Sequence, residues 1–112
     1  RSGHQLVLAV YAETKRFPKE EVFGLVSQMR RAVVSITSNI AEGFSRRTAM
    51  EKRRLYSIAE GSAIELQNQL LIARDVGYID HASFTHLADQ SIATHRLICG
   101  FMKSATDRSA IY

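Results

Sequence analysis

Six apolar residues, Val22, Val26, Met29, Val33, Ile36 and Ile40, follow one another at alternating steps of four and three. Only a helix brings residues of this spacing onto one stripe, and such a stripe is the seam of a helix packing at a shallow angle in a bundle. Phe23, Leu25 and Ala32 widen the apolar face, so this helix is expected to touch more than one neighbour. The pattern predicts a helix over residues 19–44, more than ~30 Å long at the usual rise per residue.

Three further helices frame it. The first is expected over residues 4–16, with Leu6, Val7, Val10 and Tyr11 on its stripe. Phe17-Pro18 closes it, because the residue before a proline leaves the helical region. Pro18 suits the start of the next helix, with Glu20 and Glu21 favourable in its first turn. Gly43 marks the end of that helix, and Ser45-Arg46-Arg47 leads to Thr48, which forms a capping box with Glu51. The third helix, residues 49–76, carries Leu55, Ala59, Ser62, Leu66, Leu70, Ala73 and Val76, and Gly77 takes the left-handed cap position. Asp80 caps the fourth, residues 81–104, whose face holds Phe84, Leu87, Ser91, Ile98 and Met102. The polar tail after Lys103 is expected to fray. Connections this short make neighbouring helices antiparallel. The expectation is an all-α, antiparallel up-down four-helix bundle, a single domain over residues 1–112. The start, Arg1-Ser2-Gly3-His4, is neither a Met nor a good cap, so the chain is expected to begin inside a longer helix.

Composition narrows the setting. A lone cysteine, Cys99, forms no internal disulfide, which makes a reducing cytoplasm the default location. No apolar run approaches the roughly 20 residues that cross a membrane, so no membrane role is expected.

Helical bundles often hold metals, but the usual spacings are missing. None of Glu42, Glu51, Glu60 or Glu65 has a histidine three residues on, as di-iron bundles require. His-x-x-x-His and Cys-x-x-Cys are absent, and His86 and His95 do not stack on adjacent turns. No metal or cofactor is expected. Cys99, among Leu97, Ile98, Phe101 and Met102, reads as a buried small hydrophobe rather than a nucleophile. No Gly-x-Ser-x-Gly elbow occurs, and Gly24, Gly43, Gly61, Gly77 and Gly100 are too scattered for a phosphate loop. No catalytic constellation emerges, and a non-enzymatic role is expected.

Three features remain. The strip Ser35-Ile36-Thr37-Ser38-Asn39-Ile40-Ala41-Glu42-Gly43 is polar for a bundle helix and is read as hydrogen-bonding to backbone or to a neighbouring helix. Gly61, between Glu60 and Ser62 in mid-helix, is read as a point of close helix approach. Charge is also uneven. Of the net +4, the segment from Arg30 to Arg54 holds seven basic residues against Glu42 and Glu51, a net of +5 that leaves −1 elsewhere. Arg30, Arg31, Arg46, Arg47, Lys52, Arg53 and Arg54 are therefore the candidate nucleic-acid-binding residues. Phe44 and Tyr56 lie close enough in sequence to stack on bases, and both also fit core positions.

Phe17-Pro18-Lys19-Glu20-Glu21, Phe23-Gly24-Leu25-Val26-Ser27-Gln28, Arg30-Arg31-Ala32 and Ser38-Asn39-Ile40-Ala41-Glu42-Gly43-Phe44 resemble the bacterial four-helix-bundle family called 23S rRNA intervening-sequence proteins. Glu65-Leu66, Gln69-Leu70 and Gly77-Tyr78 continue the resemblance in register. It implies a bundle that assembles as a cyclic homopentamer. Some members are encoded inside insertions of 23S rRNA genes. A related accessory protein of diversity-generating retroelements is a basic pentamer that binds reverse transcriptase and RNA. The chain departs from the family in having Thr37 where members often carry Pro; members also usually carry more helix, with an aromatic residue, before the position of Arg1, which supports the expectation of a truncated or disordered start. The functional expectation is an oligomeric module binding RNA or another nucleic acid through its basic surface. The alternative is an oligomeric scaffold for a protein partner, with no nucleic-acid role.

Overall fold

A computed structural model describes the backbone of residues 2–111 and the side chains of residues 2–106. Among the described residues the helices are α1 (Ser2–Thr14), α2 (Leu25–Ser45), α3 (Ala49–Asp75) and α4 (His81–Ile111), with a 3-10 turn at Lys19–Glu21. No strand occurs among the described residues.

Cross-helix contacts set the directions. Ser35 meets Ser62 and Gly43 meets Tyr56, so α2 and α3 run antiparallel. Glu60 meets Cys99 while Arg74 lies over Phe84, so α3 and α4 do too. Gly3 abuts Thr37 and Thr14 meets Arg30, which makes α1 antiparallel to α2. The long helices α2, α3 and α4 form the main packing, and the shorter α1 lies against α2 and α4. The core runs down the middle from Leu6 and Val10 through Met29, Val33 and Ile36 to Ala59, Ala63, Leu66, Leu70, Leu87 and Ile98. Alanines at α3 positions 59, 63 and 73 let its neighbours come close, while Leu66 and Leu70 fill the space between them.

The capping signals act as their residue types dictate. Thr48 Oγ1 accepts from Glu51 N at 3.2 Å, and Asp80 Oδ1 accepts from Ser83 N at 2.7 Å. Gly77 has φ 85°, and the N–H groups of Tyr78 and Gly77 bond the carbonyls of Ala73 and Arg74. That pairing is a Schellman motif, in which glycine tolerates a left-handed backbone.

Four local differences from the sequence expectations appear. Pro18 opens a 3-10 turn rather than α2, which begins at Leu25 after Gly24. Glu21 folds back there: its Oε1 accepts from Leu25 N at 3.1 Å and its Oε2 from Tyr78 OH at 2.7 Å. As a result Val22 and Phe23, expected on the apolar face of α2, stand on the surface, Phe23 at 96% exposure. Gly61 meets no close neighbour: a Cβ added there would find nothing within 4 Å. Finally, α4 continues to Ile111, past the fraying point expected at Lys103.

The polar strip of α2 does bond inside the bundle. Asn39 Nδ2 donates to Ser35 O at 2.8 Å, and Ser62 Oγ donates to Ser35 Oγ at 2.8 Å across to α3. Close approach of α2 and α3 instead falls at Gly43, where a Cβ would overlap the Tyr56 ring.

Candidate nucleic-acid interface

The seven basic candidates do not form one patch. Arg30 and Arg31 lie near the start of α2, and the other five surround the α2–α3 turn. At the usual helical rise, Arg31 and Arg46 are about 22 Å apart along α2.

In the first group, Arg30 faces α1. Arg30 Nε donates to Thr14 Oγ1 at 3.0 Å, and its guanidinium lies 4.7 Å from the centre of the Tyr11 ring. Thr14 in turn donates to Val10 O at 2.8 Å. Arg30 is thus a tie between two helices, its charge spread over an aromatic face. Arg31 beside it is exposed.

The second group divides by role. Lys52 Nζ donates to Gly43 O at 2.9 Å and to Phe44 O at 3.3 Å, closing the end of α2 where the helix presents unpaired carbonyls. Arg46 approaches the Glu42 carboxylate at 3.5 Å, an exposed pair of little energetic weight. Arg53 is half-buried, with a shielded Nε that lacks a hydrogen-bond partner among the described residues. Arg47 and Arg54 are exposed and make no ion pair among the described residues.

Of the two aromatic candidates, the fold assigns one to the core and one to the surface. Tyr56 is buried. Phe44 is 57% exposed, its ring packed edge-on against Phe101 at 5.0 Å and Tyr56 at 6.1 Å between centres. The α2–α3 corner therefore combines exposed cations with a ring braced from beneath.

A second cluster lies on the seam of α3 and α4. Glu60 Oε2 is 3.1 Å from His95 Nε2 and 3.6 Å from the Cys99 sulfur, which donates to it. Gln67 Nε2 lies 3.4 Å from His95 Nδ1. Cys99 is exposed, not buried as its apolar neighbours imply. Each residue turns a helix by about 100°, so the step from buried Ile98 carries Cys99 out to the flank that faces α3. Partial desolvation pushes the thiol pKa up, and the hydrogen bond to Glu60 and its negative charge push it further. A sulfur so protonated is a poor nucleophile at neutral pH. The legible trace in the sequence was His95-x-x-x-Cys99, a mixed pair one turn apart that a search for paired histidines or paired cysteines passes over.

Taken together, these features define a small all-helical bundle with a cationic, aromatic-edged corner. Residues 1–100 match the family model of the 23S rRNA-intervening sequence protein, and the chain belongs to that family. Its fold is similar to that of a protein of unknown function from the S23 ribosomal protein family of Bacteroides thetaiotaomicron, with a TM-score of 0.81 and 18% identity over 91% of this chain and 95% of that one. No curated protein matches the chain by sequence. Among the described residues, no helix is long and apolar enough to cross a membrane.

Proposed function

We propose that this chain is a non-enzymatic, oligomeric RNA-binding module of the cytoplasm, and that the α2–α3 corner touches the RNA. The observation that carries this reading is an exposed Phe44 ring at the end of α2, followed within three residues by the exposed Arg46 and Arg47, with Arg54 exposed in the second turn of α3. Arg47 and Arg54, which hold no ion pair among the described residues, can exchange their counterions for phosphates, the dominant source of nucleic-acid affinity. A braced ring offers an unpaired base a stacking platform, worth about 1–3 kcal/mol per base. Assembly into a ring of several copies, a pentamer on the family's pattern, repeats the corner around an axis and raises avidity with no change in the corner itself.

Filter binding to a structured RNA at low and moderate salt tests the proposal. Binding should weaken steeply with salt. The Arg47→Ala, Arg54→Ala double variant should bind more weakly, its log–log salt slope shallower by about 0.7–0.9 for each phosphate that is no longer neutralised. Phe44→Ala should weaken binding to single-stranded loops more than to duplex. Absent or salt-insensitive binding sinks the proposal. Protein partners that survive nuclease treatment in a pull-down would replace it with the scaffold reading.

A further inference from the structure

We propose that Glu60, His95 and Cys99 form a site for one transition-metal dication, Zn²⁺ foremost, which fastens α3 to α4. The ligands would be Glu60 Oε2, His95 Nε2 and Cys99 Sγ, with water completing a tetrahedron. All three ligand atoms lie within 4.8 Å of one another. A tetrahedral zinc with bonds of ~2.0–2.3 Å holds its oxygen, nitrogen and sulfur ligands ~3.3–3.6 Å apart. The 3.1 Å and 3.6 Å separations from Glu60 to His95 and Cys99 fall about that value, so small side-chain rotations suffice.

The surroundings suit such a site. His95 and Cys99 are four residues apart on α4 and project from one flank, so a rigid backbone sets their spacing. Gln67 lies at the far nitrogen of His95, where its side-chain oxygen, after an amide flip, would accept from Nδ1–H and direct Nε2 to the metal. The ligand set of thiolate, imidazole and one carboxylate favours zinc over the harder magnesium and calcium ions. Cys99 is exposed, so an ion can enter from solvent. On binding, the Cys99 S–H bond breaks, its proton passes to the solvent, and the sulfur lone pair forms the bond to the metal. The dication reverses the balance that otherwise keeps this thiol protonated beside a carboxylate.

Cobalt titration of the reduced full chain tests the site, with Co²⁺ standing in for Zn²⁺. One equivalent per chain should produce a thiolate-to-cobalt charge-transfer band and d–d bands of tetrahedral intensity, and Zn²⁺ should bleach both. Cys99→Ser should abolish the charge-transfer band while helicity by circular dichroism is kept. His95→Ala and Glu60→Gln should weaken cobalt binding at least tenfold, and Gln67→Ala about tenfold. Saturating Zn²⁺ should also slow alkylation of Cys99 in the unaltered protein, a readout that needs no variant. A folded protein that gives no charge-transfer band, a band that survives Cys99→Ser, or alkylation indifferent to Zn²⁺ overturns the proposal.

Discussion

Gly43 has no room for a side chain, because its α-carbon faces the ring of Tyr56 where α2 and α3 come together. That ring is buried and bears on Phe101, so it cannot simply swing away. Gly43→Ala should therefore destabilise the protein by about 1–3 kcal/mol through overpacking, despite alanine's better helix propensity. Urea denaturation would show it, and an unchanged midpoint would mean that the two helices part at no cost. Gly61→Ala is the control: open space surrounds it in a helix interior, so alanine should stabilise by about 0.4–1 kcal/mol. Glu21 offers a pH-dependent case. The Tyr78 hydroxyl first, and the Leu25 N–H second, hold its carboxyl below the usual range. A pKa depressed by folding gives stability that is complete above the ordinary carboxylate range and is lost as pH falls through the folded value. The same hydrogen bond raises the Tyr78 pKa, so its benefit also ends once pH climbs past the phenol's folded value. Tyr78→Phe should hence be less stable than the parent at neutral pH, and the gap should shrink as acidification passes below the ordinary carboxylate range and through the folded value. A gap independent of pH would mean that the loss does not come from the hydroxyl's bond to the Glu21 carboxylate.

Among the elements, α3 was the most legible, since its cap, its register and its terminal glycine are all local signals. Thr48→Ala should remove the bond to Glu51 N and cost about 1 kcal/mol, read as a lower melting temperature, whereas Thr48→Ser should restore most of it. The start of α2 was not legible. Pro18 followed by two glutamates is what a helix's first turn looks like, and the residue that decides the matter is Glu21. Its carboxylate bonds Leu25 N, and its other oxygen reaches Tyr78, 57 positions away in sequence. No reading of local propensity supplies such a distant partner. The basic segment shows the same limit. Counting charge found the α2–α3 corner, but it joined to it Arg30, whose guanidinium is occupied by Thr14 and Tyr11, and Lys52, which caps a helix. The Glu60–His95–Cys99 cluster was hidden because one member lies on α3 and two on α4, 35 positions away at the nearest.

At the scale of the whole molecule, the question is what covers Phe23. A side chain 96% exposed contributes almost nothing to the fold of its own chain, and exposed apolar residues gathered in one patch, unlike single ones, mark a surface of interaction. It stands with Val22 and Val34, also exposed, at a shallow cleft of about 620 Å³ that Tyr11, Val26, Arg30 and Arg31 help to line. Phe23 itself lines that cleft, so the patch is one face of a contact whose other face lies elsewhere on the next copy of the proposed ring, and burying the phenylalanine there would contribute about 1.5–3 kcal/mol per interface. Because Phe23 packs so little within the chain, Phe23→Ser should leave helicity intact while shifting the sedimenting species from the assembly to the monomer. A variant that sediments with the assembly would move the interface elsewhere, and a parent chain that is monomeric at micromolar concentration would end the ring proposal. The same variant also separates the two halves of the proposed function. The α2–α3 corner is distant from Phe23 along α2, so a Phe23→Ser monomer should still bind RNA, with the weaker affinity and gentler salt dependence of a single corner.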